Sequence, residues 1–140
     1  MDKIATPVVL VVSAFLYFTH DAGFNFDRAS PEKRVAFTER QAQEAVRRAQ
    51  LVVRDEPRAV IVTGDAKQAR VKVRSDGALM ESRRRQDTFR QACAGYLASY
   101  LDGHDIALRL EFYDDRSRMT GVMSLTPKVC ERTAAMAKAT

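Results

Sequence analysis

The sequence predicts an α+β fold, in which an N-terminal apolar helix precedes one domain with the element order α-β-β-α-β-β-α. Two pairs of short strands with one-sided apolar alternation indicate a four-stranded antiparallel sheet whose apolar face is covered by helices. A third observation is the uncharged stretch Ile4 to Phe18. We divide the chain into an anchor at residues 1–20, a connector at 21–30 and a globular domain at 31–140.

The apolar stretch is short but long enough to be a membrane span. A helix over residues 4–18 is about 22 Å long, and with Thr19 and His20 it reaches the lower limit of about 17 residues for a spanning helix. We expect a retained signal-anchor that holds the domain outside the cytoplasm, in the periplasm or at the cell surface. A cleaved signal peptide is a second interpretation. A buried strand or helix of a soluble core is the third.

Four aromatic residues lie at the end of this stretch and just beyond it: Tyr17, Phe18, Phe24 and Phe26. Tyrosine in particular favours the level of the lipid headgroups, so these residues are compatible with a membrane anchor. The same four residues could instead form a small satellite core.

The first helix of the domain is predicted to begin at Ser30-Pro31-Glu32. Serine can cap a helix, proline fits the first helical position, and glutamate suits the positive end of the helix dipole. Thr38, with Gln41 three residues later, is an alternative start because the two form a capping-box pattern. Apolar residues then recur at helical spacing, so we expect the helix to end near Arg54, before Asp55-Glu56-Pro57.

Two strands follow this helix. Arg58 to Thr63 is short and β-branched, which is typical of a buried strand. Ala69 to Arg74 alternates strictly between apolar and basic residues. Its inward residues are Ala69, Val71 and Val73, and its outward residues are Arg70, Lys72 and Arg74. With a turn at Gly64 to Gln68, the two strands are predicted to form a hairpin.

The second half of the domain repeats this order of elements. A helix is predicted within Ala78 to Leu101, where Gly95 either weakens it by roughly 1 kcal/mol or lets another backbone come close. Ile106 to Tyr113 and Arg118 to Leu125 alternate in polarity and predict a second hairpin. Thr126-Pro127 resembles a capping residue followed by a first-turn proline, so it begins the last helix.

Cys93 and Cys130 are the two cysteines of the chain, and each lies on a predicted apolar helix face. In an oxidising compartment such a pair is expected to form a disulfide, which would stabilise the fold by about 4 kcal/mol in the chain-entropy model. Two buried free thiols are the alternative. Neither cysteine has another cysteine or a histidine at ligand spacing, so no metal site is predicted.

The net charge is +5 at pH 7, and Asp2 and Lys3 cancel, so the charge belongs to the part of the chain after the apolar stretch. Basicity suits contact with phosphate, anionic lipid headgroups or an acidic protein. The candidate anion- or partner-binding residues are Arg70, Lys72, Arg74, Arg83, Arg84 and Arg85. Nucleic acid is not expected as a partner, because a sheet that binds it needs exposed aromatics for stacking, and Tyr113 is the one obvious outward aromatic on a strand.

Motifs for catalysis are absent from the sequence: it has no Walker loop, no Gly-x-Gly-x-x-Gly and no His-Glu-x-x-His. We therefore predict no cofactor and no catalytic residue. The leading hypothesis is a membrane-anchored, non-catalytic binding or accessory module of the cell envelope, with a protein partner there. Two alternatives remain open, namely a small enzyme that uses the loop around His104 and a soluble basic domain that binds polyanions.

Overall fold

The computed structural model describes residues 21–54, 58–75 and 82–139. The predicted anchor at residues 1–20 lies outside the described residues. These residues form α1 (Pro31–Arg48), β1 (Val60–Thr63), β2 (Gln68–Arg74), α2 (Ser82–Ala98), β3 (Ala107–Tyr113), β4 (Met119–Leu125) and α3 (Pro127–Ala139). Over the described ranges, no helix has the length and apolar character needed to cross a bilayer.

Helix α1 begins at the predicted proline. Ser30 Oγ accepts a hydrogen bond from the amide N of Lys33 at 3.4 Å, and Pro31 occupies the first turn. The helix ends at Arg48, earlier than the sequence predicted. Val53 belongs to an extended segment that forms an isolated antiparallel bridge with Val73 of β2. Val53, which lies near the end of the predicted helix, therefore pairs with the sheet and is not helical.

The four strands form one sheet in the order β1-β2-β3-β4. The pairs β1–β2 and β3–β4 are antiparallel, as predicted for hairpins, but β2 and β3 are parallel. The prediction of an entirely antiparallel sheet is therefore wrong, and the sheet is mixed. Helix α2 explains the difference, because its 17 residues span about 26 Å and carry the chain back along the sheet, so that β3 starts at the same end as β2.

Helices α1, α2 and α3 lie on one face of the sheet, since each of them contributes buried residues to one core. The inward side chains of β2 and β3, including Val71, Leu110 and Phe112, are buried and share a core with Val46 of α1 and Tyr96 of α2. The buried hydroxyl of Tyr96 donates a hydrogen bond of 2.7 Å to a backbone carbonyl at the start of β3. The opposite face of the sheet is thereby left to the polar side chains.

Gly95 marks the closest approach of α1 and α2. A Cβ atom at this position would lie 2.8 Å from the amide N of Ala49 and 2.9 Å from its Cβ. Of the two interpretations of Gly95, close backbone approach is the one that the structure confirms.

The disulfide between Cys93 and Cys130 is confirmed. It joins α2 to α3 with the two Cα atoms 5.0 Å apart, and both cysteines are buried. The two helices pack side by side, which is the arrangement that the pairing required. The disulfide therefore fixes the C-terminal helix to the rest of the domain.

Two aromatic residues of the predicted connector belong to the fold. Phe24 stacks on Phe37 of α1 with ring centroids 4.4 Å apart, and Phe26 is buried next to both rings. Phe24 and Phe26 therefore pack inside the protein, but as part of the main core and not of a separate satellite core, whereas Tyr17 and Phe18 lie outside the described residues.

Asp21 attaches the start of the described chain to α1. Its carboxylate accepts hydrogen bonds of 2.8 Å from Arg40 Nη2 and 2.8 Å from Gln41 Nε2. The side-chain oxygen of Gln41 in turn accepts the amide N–H of Tyr100 at 3.0 Å. The chain is thus fixed to the domain from Asp21 onward.

Candidate anion-binding face

The face of the sheet opposite the helices carries a concentrated set of basic side chains. In the register of the sheet, Arg70 lies between Ile61 and Arg109, Lys72 lies beside Glu111, and Arg74 lies beside Tyr113. We call this surface the open face. Its residues are Ile61, Thr63, Gln68, Arg70, Lys72, Arg74, Ala107, Arg109, Glu111, Tyr113, Val122 and Ser124.

Glu111 is the buried acid of the open face. Only 1% of its side chain is exposed, and its Oε2 accepts hydrogen bonds from Arg70 Nη2 at 3.0 Å and from Arg109 Nε at 3.1 Å. The side chains of Arg70 and Arg109 themselves remain 41% and 40% exposed. Because two guanidinium groups share one carboxylate, the cluster keeps a net positive charge that solvent can reach. We call these two residues the arginine pair.

The arrangement of strands explains this cluster. Arg70 and Arg109 are direct neighbours across the parallel strands β2 and β3, where like charges repel. Glu111 comes two residues after Arg109, so it is on the same face of β3 and supplies the compensating charge. Arg70 Nε is buried and has no hydrogen-bond partner among the described residues.

Tyr113 lies at one end of the open face between two cations. The guanidinium carbon of Arg54 is 5.0 Å from the centroid of the ring, and Lys72 Nζ is 5.8 Å from it. Arg54 Nη2 also donates a hydrogen bond of 2.9 Å to Ser117 Oγ. Cation–π attraction therefore orders basic side chains around the tyrosine.

The six basic residues predicted from the sequence do not form one patch. Arg70, Lys72 and Arg74 lie on the open face. Arg83, Arg84 and Arg85 are exposed in the first turn of α2, on the helix side of the sheet. Arg84 and Arg74 line the same groove of about 440 Å³ at the end of β2, whereas Arg85 lines a different groove beside β4. Arg74 therefore belongs to the strand group but lines a groove together with one member of the helix group, Arg84.

Sequence reasoning missed two members of the site, Arg109 and Glu111. The alternation of β3 placed both side chains outward, and that was the available signal. What the sequence did not reveal was that β3 lies directly beside β2 and in parallel, which brings Arg109 next to Arg70.

His104 is packed among aromatic rings. Its ring lies edge-on to Phe37 at a centroid distance of 5.2 Å and 5.8 Å from Phe26, and its carbonyl oxygen accepts a hydrogen bond of 2.7 Å from Lys67 Nζ. Burial, and then the charge of Lys67, lower the pKa of the imidazole below its ordinary value. Among the described residues, no three His, Cys, Asp or Glu side chains are grouped so that they could hold a metal ion.

Comparisons with protein-family models, with curated proteins and with solved structures give no significant match. The class of protein is therefore defined by its architecture, a disulfide-bridged α+β domain with a mixed four-stranded sheet that carries helices on one face and basic side chains on the other. The open face, with its basic side chains, is therefore the candidate functional surface.

Proposed function

We propose that the protein is a membrane-tethered, non-catalytic binding module of the cell envelope, and that its open face holds an acidic surface of a protein partner. The observation that carries this proposal is the arginine pair, because Glu111 positions Arg70 and Arg109 side by side. Positioned guanidinium groups bind carboxylates through two parallel hydrogen bonds. Fixing these long side chains before binding reduces the entropy that association costs.

The surroundings of the arginine pair favour a protein over other anions. Arginine and tyrosine are enriched at the centres of protein interfaces, and Tyr113 lies on the same face as the pair. Ile61 and Val122 add apolar surface on the two outer strands. A nucleic acid would need more exposed rings on which to stack its bases. A mixed surface of this composition suits a folded partner with surface carboxylates.

Two features support a location outside the cytoplasm. A buried disulfide persists in oxidising compartments and is rare in reducing ones. The uncharged stretch Ile4 to Phe18, which lies outside the described residues, has the composition of a signal-anchor. Since the predicted anchor ends at residue 20 and Asp21 is fixed to α1, almost no linker would separate the anchor from the domain. The domain would therefore lie close to the membrane surface.

The proposed cellular location is tested by fractionation of cells that make the full-length chain, with thiols blocked before lysis. We expect intact protein in the membrane fraction, with the domain open to protease from outside and with Cys93 and Cys130 oxidised. Intact protein in the cytosol with both thiols free would contradict the proposed compartment.

Partner binding is tested by co-purification with the detergent-extracted full-length chain. We compare the wild type with Arg70→Gln and Arg109→Gln, and we use Arg90→Gln as the matched control, since Arg90 is an exposed arginine of α2 whose loss changes the charge equally. The proposal requires a protein that is retained by the wild type and the control and lost from both open-face variants. Equal recovery with all four chains would count against the open face.

A further inference from the structure

Strand β4 is an outermost strand of the sheet and lacks the charges and prolines that often protect a free edge, although its register with β3 shifts between Phe112 and Tyr113. Its seven residues contain no charge and no proline. Exposed edge strands are templates for pairing with another chain, and proteins normally block them with charges, prolines or very short strands. The opposite outer strand, β1, has only four residues. Among the described residues, no strand pairs with the outer edge of β4.

Exposed apolar side chains accompany this edge. Met119 is 49% exposed and Val122 is 41% exposed. A groove of about 680 Å³ runs beside the strand, and Val122, Met123, Phe89 and Met136 contribute its apolar lining. The edge therefore offers backbone groups for pairing together with apolar surface that pairing would cover.

Two arginines near this edge are paired within the domain, and a third, Arg85, also lines the groove beside β4. Arg118 bonds to Asp114 at 3.0 Å just before β4, and Arg90 lies 3.8 Å from Asp87 on the groove side. An identical chain approaching the edge would thus meet an uncharged strand, so β4 itself adds no charge repulsion between two copies. An acidic peptide, by contrast, would find no cation in β4 itself.

We propose that β4 is a homodimer interface, in which two copies pair antiparallel around a two-fold axis near the middle of the strand. Antiparallel pairing of identical strands is self-complementary, as a two-fold interface requires. The product is one continuous sheet of eight strands. The two-fold axis of the dimer is perpendicular to the sheet. Both open faces, and with them both arginine pairs, therefore lie on the same side of the dimer. A partner with repeated acidic sites would then bind through both copies.

The test measures the protein mass of the full-length chain in detergent by light scattering across a concentration series. Val122→Lys places a charge on the edge, and Ser124→Lys does so at a second exposed position of β4. Ile61→Lys is the matched control on the other outer strand. Circular dichroism and an intact Cys93–Cys130 disulfide establish that each variant is folded.

We expect dimer mass for the wild type and Ile61→Lys, and monomer mass for whichever of the two β4 variants are folded. A monomeric wild type, a folded β4 variant that remains a dimer, or a monomeric Ile61→Lys would each overturn the proposal. The outcome is separate from anion binding, because the mass is measured without any peptide and because Arg70→Gln, which leaves β4 unchanged, should weaken the binding of an acidic peptide and still give dimer mass.

Discussion

Glu111 accepts a hydrogen bond of 3.1 Å from Arg109, which precedes it by two residues on the same face of β3. The same carboxylate oxygen accepts a hydrogen bond from Arg70 on the neighbouring parallel strand. One buried acid therefore joins two strands and sets the position of both arginines. Stability and binding at the open face are for this reason expected to depend on the same residue.

Glu111→Gln should lower the free energy of unfolding by about 1–3 kcal/mol, as measured by urea denaturation. Removing one partner of a fully buried ion pair costs about 3–5 kcal/mol, and we expect less here because solvent still reaches both arginines. Glu44→Gln is the matched control. Glu44 also bonds to two arginines, Arg47 and Arg48, but on the exposed surface of α1, so its loss should cost less than about 1 kcal/mol. Equal effects of the two substitutions would show that the burial of Glu111 is unimportant.

Gly95→Ala should destabilise the domain by about 1–3 kcal/mol, because the new methyl group would overlap the carbonyl of Ala45 in α1 and the backbone of Ala49, which caps that helix. The sign of the change in the free energy of unfolding is informative, since alanine inside an exposed helix would stabilise the protein by roughly 1 kcal/mol relative to glycine. Thermal or urea denaturation measures the change. Gly103→Ala is the control, because a Cβ there has no neighbour within 4 Å, and it should shift stability by less than about 0.5 kcal/mol. A stabilised Gly95→Ala would mean that α1 and α2 are farther apart than the structure shows.

Replacing both Cys93 and Cys130 by alanine should lower the free energy of unfolding by about 4 kcal/mol, because the disulfide no longer restricts the unfolded chain. The comparison uses urea denaturation of the wild type and of the double variant without reductant. Adding reductant should destabilise the wild type toward the double variant and leave the variant unchanged. A double variant as stable as the oxidised wild type would contradict the stabilising role assigned to the disulfide.

His104 should make the domain less stable at pH 5 than at pH 7. Its pKa in the folded protein is lowered, first by burial and then by Lys67, so the unfolded chain binds the proton more readily. The stability that the neutral His104 ring provides is fully present above the ordinary histidine pKa of about 6.5. It is lost as the pH falls through the pKa of His104 in the folded protein. His104→Phe keeps an aromatic ring beside Phe26 and Phe37 but cannot titrate. The loss of stability between pH 7 and pH 5 should be smaller in this variant than in the wild type, and equal losses would exclude the effect.

Local patterns predicted most of the elements because the signals for them are local. Ser30-Pro31 marked the start of α1, and alternation from Ala69 to Arg74 marked β2 and its outward cations. The pairing of Cys93 with Cys130 also followed from their positions on apolar helix faces. In each case the signal is local, since the apolar face on which each cysteine lies is set by the pattern of its own helix.

The relation between the two hairpins could not be predicted in this way. Alternation shows which side chains of β2 and β3 share a face, but it is the same for parallel and antiparallel neighbours. The direction of β3 depends on how α2 crosses the sheet, which is a matter of packing between distant segments. For this reason Arg109 and Glu111 were missed as neighbours of Arg70, and the division of Arg84 and Arg85 between two grooves was also not foreseen.

The central claim is that the arginine pair of the open face binds carboxylates, and titration calorimetry with hexa-L-glutamate tests it most directly. The full-length chain in detergent is compared with Arg70→Gln, Arg109→Gln and the control Arg90→Gln. A hydrogen bond to a charged group contributes about 1.5–3 kcal/mol, so each open-face variant should bind roughly tenfold more weakly or worse. The control should stay within about twofold of the wild type, as expected for an exposed arginine that is not part of the arginine pair. If all three variants weaken binding equally, the attraction comes from net charge alone, and the assignment of the open face as the binding surface is wrong.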